Sequence, residues 1–163
     1  MQRFQIFWHN LQQDLKIFLY FTILFSVFRL IFIGIFNTYL SDCTMQDIML
    51  CMWYGFRLSL KTAGMIALIG GVLATLPQIG FMKWPSEIIR KIWSALMVLI
   101  FTIAFFARIP YFEIFNSGFN IMLINGIHDD WGAILDTAIN EYGLLWRLPL
   151  AFLMTGILIW LLL

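Results

Sequence analysis

The sequence has 163 residues and a net charge near +1, so it lacks the excess of positive charge that nucleic-acid binding requires. Hydrophobic residues make up 62% of the chain and charged residues only 12%, whereas a soluble domain is about half apolar and about a quarter charged. A soluble core of this size has no room for so many apolar side chains. The composition therefore predicts an integral membrane protein.

Four apolar stretches predict membrane-spanning helices, because each reaches the roughly 20 residues that cross about 30 Å of hydrocarbon. The alternating pattern of a membrane barrel strand is missing from them. We therefore predict an all-α fold, a polytopic membrane helix bundle with residues 1–163 as one transmembrane domain. The predicted spans cover, approximately, residues 15–40, 48–76, 88–107 and 144–163.

The distribution of basic residues predicts the orientation of the chain. Basic residues precede the first span and lie between the second and third spans. In the connections 41–47 and 108–143, by contrast, most of the charged residues are acidic. The positive-inside rule then places the N-terminus in the cytoplasm and the acidic connections outside. The last residues, LIWLLL, end within an apolar run without a polar or basic cap, so we expect the natural protein to continue beyond Leu163.

The second span has two different faces. Small residues recur every four positions and predict close packing of a neighbouring helix; they are Gly55, Ser59, Ala63, Ala67 and Gly71. Arg57 and Lys61 lie about opposite this small-residue stripe. At 1.5 Å per residue they lie roughly 14 Å and about 20 Å inside the outer end of the span.

Charges at such depth are costly unless they are paired, solvated or directed into a cavity. One interpretation is a polar cavity that binds a lipid phosphate. Its predicted ligands are Arg57, Lys61, Arg29 and Arg108. The other interpretation is that these cations pair with outer carboxylates or extend to the membrane interface. Both interpretations stay open for Arg57 and Lys61, and pairing is favoured for Arg29 and Arg108.

The outer connection, residues 108–143, is too patterned to be a plain loop. Aromatic residues at helical spacing in PYFEIFNSGFNIML predict a first amphipathic helix in the membrane interface, and a second is predicted over residues 129–142. Glu113, Asn116 and Asn120 on the first helix either contact a lipid head group or only form its polar face, and the second role is favoured. No residue spacing in the chain predicts a metal site.

Three segments follow one another in an order that resembles the N-terminal membrane domain of lipoteichoic acid synthase-like proteins. These are sulfatase-superfamily enzymes that transfer phosphoglycerol or phosphoethanolamine. The segments are FSVFRLIF, WYGFRLSLKTA and YFEIFNSGFN. The family's second segment is similar to Gly-x-Arg-x-Asp-x-Ser, which Gly55 and Arg57 match, while Ser59 replaces the acid. In the third segment Asn120 matches, and Phe119 replaces a frequent arginine.

The resemblance implies a protein of the bacterial plasma membrane, with five spans and then an extracytoplasmic catalytic domain. This chain would then anchor that domain and bind membrane phospholipid. The catalytic domain, beyond Leu163, would hold a divalent metal such as Mn or Mg and a threonine nucleophile, so no cofactor and no catalytic residue is predicted in the chain itself. The alternative is a small non-enzymatic membrane scaffold, or a subunit of a larger membrane complex, whose cations pair with a second protein.

Overall fold

The structure is a computed structural model of the chain, and it describes residues 2–40, 44–80, 84–119, 140 and 143–162. The described residues form four long α-helices: α1 (Gln2–Ile35), α2 (Met45–Gly80), α3 (Ser86–Phe115) and α4 (Leu144–Leu162). A short 3-10 helix, Asn37–Leu40, follows α1. The all-α fold class that the sequence predicts is confirmed.

Each long helix contains a stretch that is long and apolar enough to cross a membrane. These stretches are Phe4–Ile35, Met45–Pro77, Ser86–Glu113 and Leu145–Leu162. They overlap the four predicted spans and support a multi-pass membrane protein. Helix α1 nevertheless begins at Gln2 and ends at Ile35, whereas the predicted span covers residues 15–40, and the candidate span itself begins at Phe4.

The described chain divides into two compact units, residues 2–96 and residues 97–161, which we describe separately. In the first unit α1 packs against α2. The buried apolar residues of α1 recur at the three- and four-residue spacing of a helix–helix seam; they are Ile17, Phe21, Leu24 and Phe28. The core of this unit is therefore a seam of α1 side chains against a surface of small residues on α2.

The small-residue stripe of α2 lies against α1. All five of its members are buried or half-buried, namely Gly55, Ser59, Ala63, Ala67 and Gly71. Gly55 is next to Arg29 and Gly71 is next to Asp14, so α1 and α2 run antiparallel. Small residues at these positions let the two helices come close enough for polar side chains of α1 to reach α2.

In the second unit α3 continues through Pro110 to Phe115. The structure thus corrects the predicted boundary at residue 107: the first part of the predicted interfacial helix is the end of α3. The apolar run continues through Pro110, and the one backbone hydrogen bond that a proline removes is tolerated in membrane helices. Asn116, with a φ of 48°, ends the helix. The second predicted amphipathic helix lies outside the described residues.

Candidate functional site

Arg29 of α1 lies in a notch on the surface of α2. Its Nη2 donates a hydrogen bond to Ser59 Oγ at 3.1 Å, and Ser59 Oγ in turn donates to the Gly55 carbonyl at 3.1 Å. A side chain at Gly55 would overlap the guanidinium of Arg29. Glycine provides the space and serine provides the acceptor, so two members of the small-residue stripe position this cation.

A cavity of about 710 Å³ opens beside Arg29. Its wall consists of Ser26, Arg29, Ile48, Met49, Leu50, Met52, Trp53 and Phe56. Arg29 is the one charged residue among them, and the hydroxyl of Ser26 donates to the Thr22 carbonyl at 2.8 Å. The volume is within the range of about 300–1,000 Å³ of ligand pockets, which are mostly apolar with a few polar groups that orient the ligand.

Arg57 and Lys61 do not line this cavity. Both are exposed, and because residues two apart on a helix differ by about 200°, Arg57 lies on the side of α2 away from Gly55 and Arg29. Neither cation has a hydrogen bond or an ion pair with any residue that the structure describes. The structure therefore does not bring these two cations together with Arg29, as a shared phosphate site would require.

The remaining predicted polar residues belong to the second unit. Glu113 Oε2 lies 3.7 Å from Arg147 Nη2, in a half-exposed ion pair. Asn116 is exposed, and its left-handed backbone shows that it terminates α3. Arg108 is an exposed residue of α3, and Asn120 lies outside the described residues. Glu113 thus forms an ion pair and Asn116 ends α3, and the predicted contact of these residues with a lipid head group stays a prediction.

A second polar cluster, which the sequence did not predict, joins all three helices of the first unit. Arg90 Nε on α3 donates to Asp14 Oδ1 on α1 at 2.9 Å, and Thr75 Oγ1 on α2 donates to Asp14 Oδ2 at 2.8 Å. Arg90 Nη2 also donates to Thr75 Oγ1 at 3.0 Å and to Asn10 Oδ1 at 3.3 Å. We call these four residues the Asp14–Arg90 cluster.

The Asp14–Arg90 cluster is buried and internally satisfied. Only 8% of the Arg90 side chain and 14% of the Asp14 side chain are exposed. Gly71 leaves the room that the carboxylate needs, because a Cβ there would lie 3.1 Å from Asp14 Oδ2. Buried charges that are paired and fully hydrogen-bonded hold elements in register, so the cluster positions the helices and is not a free binding site.

A sequence signal for this cluster does exist. Asn10 and Asp14 are four residues apart and continue the buried seam of α1 towards its N-terminus, since Ile17 and Phe21 follow at spacings of three and four residues. Polar residues on the apolar stripe of a helix indicate polar partners on the facing helices. The identity of those partners could not be inferred, because Arg90 lies far away in the sequence.

Among the described residues, no group of three histidine, cysteine, aspartate or glutamate side chains has the arrangement of a metal site. Cys51 is an exposed, free thiol. No family model, curated protein or solved structure matches this sequence. The resemblance to lipoteichoic acid synthase-like proteins therefore remains a prediction.

Proposed function

We propose that this chain is the membrane-anchoring and lipid-head-group-binding domain of an exported phosphoglycerol or phosphoethanolamine transferase. The observation that supports the proposal is the cavity beside Arg29, in which one cation adjoins an otherwise apolar wall. A phospholipid has the matching chemistry, because an anionic phosphate adjoins its acyl chains. Of the four cations proposed from the sequence as phosphate ligands, Arg29 is the one that lines this cavity.

The position of the cavity fits a head group. Arg29 lies six residues before the end of α1 at Ile35, about 9 Å along the helix axis. The apolar wall comes from the first turns of α2, between Ile48 and Phe56. Both helices reach one end of their candidate spans on this side, so the cavity lies between Arg29, at the level of Ser59, and the membrane surface.

The chemistry of Arg29 also fits a phosphate. A guanidinium carries five N–H donors in a fixed plane, and one of those of Arg29 is bonded to Ser59. This planar fork matches two phosphate oxygens, whereas lysine offers a point charge. Gly55 and Ser59 limit the movement of Arg29, so a lipid that binds here meets a cation that is already oriented.

The transferase chemistry in this proposal belongs to a domain outside these 163 residues. That domain would hold the divalent metal and the nucleophile, and this chain would present lipid to it at the outer surface of a bacterial plasma membrane. The alternative, a non-enzymatic subunit of a larger membrane complex, is favoured by one observation: the exposed cations Arg57 and Lys61 lie outside the cavity.

The proposal is tested by lipid binding to the purified chain. We expect the wild-type chain to retain phosphatidylglycerol in preference to diacylglycerol, which has no phosphate, when native mass spectrometry follows extraction from vesicles that contain both. Arg29→Gln should weaken this retention by about tenfold or more. Met52→Trp, which fills the cavity and keeps every charge, should weaken it as well.

Arg57→Gln is the matched control, because it removes an equal charge from α2 at a position outside the cavity wall. Its retention of phosphatidylglycerol should equal that of the wild type. Equal retention by Arg29→Gln and the wild type would refute the site. The intact mass of the natural gene product is the second test: a mass far above 19.1 kDa supports the transferase proposal, and a mass of 19.1 kDa favours the non-enzymatic subunit.

A further inference from the structure

Arg57 and Lys61 form an exposed cationic pair one helical turn apart on α2. Residues four apart lie on the same face of a helix. As described above, this face is turned away from the small-residue stripe that packs against α1. The pair is thus separate from the cavity beside Arg29, and it is the feature of the first unit that the proposed function leaves unexplained.

Lys61 lies within the hydrocarbon wherever α2 sits along the membrane normal. The candidate span Met45–Pro77 has 33 residues, while about 20 residues cross the hydrocarbon. Every stretch of about 20 consecutive residues within that span includes Lys61, which is its midpoint. Nearly all such stretches include Arg57. Exposed cations at this depth are costly, and they normally face a polar partner.

The described carboxylates of this chain do not supply that partner. Asp14 pairs with Arg90, Glu87 with Lys91, and Glu113 with Arg147. Asp47 lies in the first turn of α2, where its Oδ2 accepts a hydrogen bond from the Thr44 amide at 3.2 Å. Each described carboxylate is therefore engaged away from the middle of α2.

The residues around the cationic pair have the geometry of a helix-docking surface. Large exposed side chains lie within about 60° of Lys61 on the helix, above and below it; they are Tyr54, Leu58, Met65, Leu68 and Val72. Their spacing of three, four and seven residues is that of a seam between two packed helices. The face, which we call the Lys61 face, thus combines an apolar seam with a central positive charge.

We propose that the Lys61 face docks a membrane-spanning helix of another protein, one that carries a carboxylate near its middle. Charge complementarity identifies the partner, since a carboxylate on a helix can lie at the depth of Lys61. The apolar seam extends along α2 from Tyr54 to Val72, which suits a helix better than a single lipid head group. A second copy of this chain would place the same cations against each other, so it is disfavoured at this face.

The test uses a synthetic leucine-rich helix of about 20 residues with one glutamate at its middle. Its association with the full chain is measured by fluorescence energy transfer in phosphatidylcholine vesicles. Two matched probes carry glutamine at the middle, or glutamate near one end. We expect the central glutamate to strengthen association by about tenfold or more over both matched probes.

Variants of the chain assign the effect to the Lys61 face. Lys61→Met should remove the preference for glutamate over glutamine, and Lys61→Glu should transfer the preference to a probe with a central lysine. Both variants are expected to fold, because Lys61 is exposed and has no bond to a described residue. Arg29→Gln is the control that should leave the preference unchanged, so this test and the lipid test can fail independently.

Two results would overturn the proposal. The first is equal association of the glutamate and glutamine probes with the wild-type chain. The second is retention of phosphatidylglycerol that is lost in Lys61→Met, without any preference for the glutamate probe. That second result would assign a lipid phosphate, and not a helix, to the Lys61 face.

Discussion

Replacing Asp14 with alanine would leave the guanidinium of Arg90 buried without its carboxylate. The two side chains are only 14% and 8% exposed, and Arg90 Nε lies 2.9 Å from Asp14 Oδ1. The same change removes the acceptor of the Thr75 hydroxyl, which donates to Asp14 Oδ2 at 2.8 Å. One substitution thus affects the contacts among α1, α2 and α3 in the first unit.

The magnitude follows from the burial of the pair. Removing one partner of a buried ion pair costs about 3–5 kcal/mol, because the remaining charge is uncompensated. Arg90 Nη2 keeps acceptors in Thr75 at 3.0 Å and Asn10 at 3.3 Å, so we expect the loss to be near the lower end, about 3 kcal/mol. Replacing both charges, as in Asp14→Leu with Arg90→Met, should cost less than Asp14→Ala alone.

Unfolding by SDS in mixed micelles, followed by far-ultraviolet circular dichroism, measures these changes. Glu87→Ala is the matched control, because it breaks the exposed Lys91–Glu87 pair, which is 2.8 Å long, and such surface pairs often contribute nothing measurable. A wild-type free energy of unfolding in Asp14→Ala would refute the structural role of the cluster. Additive losses in the double variant would refute the coupling between the two charges.

Two further substitutions test local structure by the same unfolding assay. Gly70→Ala should destabilise the first unit by about 1–3 kcal/mol, because its Cβ would lie 2.9 Å from Cδ1 of the rigid Trp93 ring. Gly34→Ala is the control, since a Cβ there meets no atom within 4 Å. Similar losses of stability in both variants would contradict the close packing at Gly70. Asn116→Val should lower the free energy of unfolding by about 1–2 kcal/mol, because the φ of 48° at Asn116 suits asparagine or glycine. Asn116→Gly should leave stability unchanged. Equal stability of the two variants would contradict the left-handed helix end.

Hydropathy was sufficient to predict the four spans, because crossing hydrocarbon imposes a minimum length of apolar sequence that is visible in one dimension. The ends of the helices were harder to predict from the sequence. Helix α3 passes through Pro110 to Phe115, although proline commonly marks a boundary. A membrane helix tolerates proline where neighbouring groups or local backbone adjustments satisfy the freed carbonyl, and local sequence does not reveal that tolerance.

The helical wheel of α2 correctly separates its small residues from its cations, because both sets belong to one rigid helix. Where the side chain of Arg29 points depends on the angle at which α1 packs against α2, and the sequence of α1 does not determine that angle. The structure turns Arg29 towards Gly55 and Ser59, whereas the sequence placed it with Arg57. Pairings between distant segments, such as Asp14 with Arg90, are likewise fixed only by three-dimensional packing.

The two proposed sites lie mostly on opposite faces of α2, and the two proposals assign a different role to each face. Its small residues admit Arg29 and let α1 approach, so the cation of the cavity is supplied by a neighbouring helix. The cations of α2 itself face outwards, where α1 cannot neutralise them. A helix about 10 Å across lies between the two sites, so a ligand of one site does not satisfy the other. A lipid bound in the proposed cavity would therefore leave Lys61 without a partner.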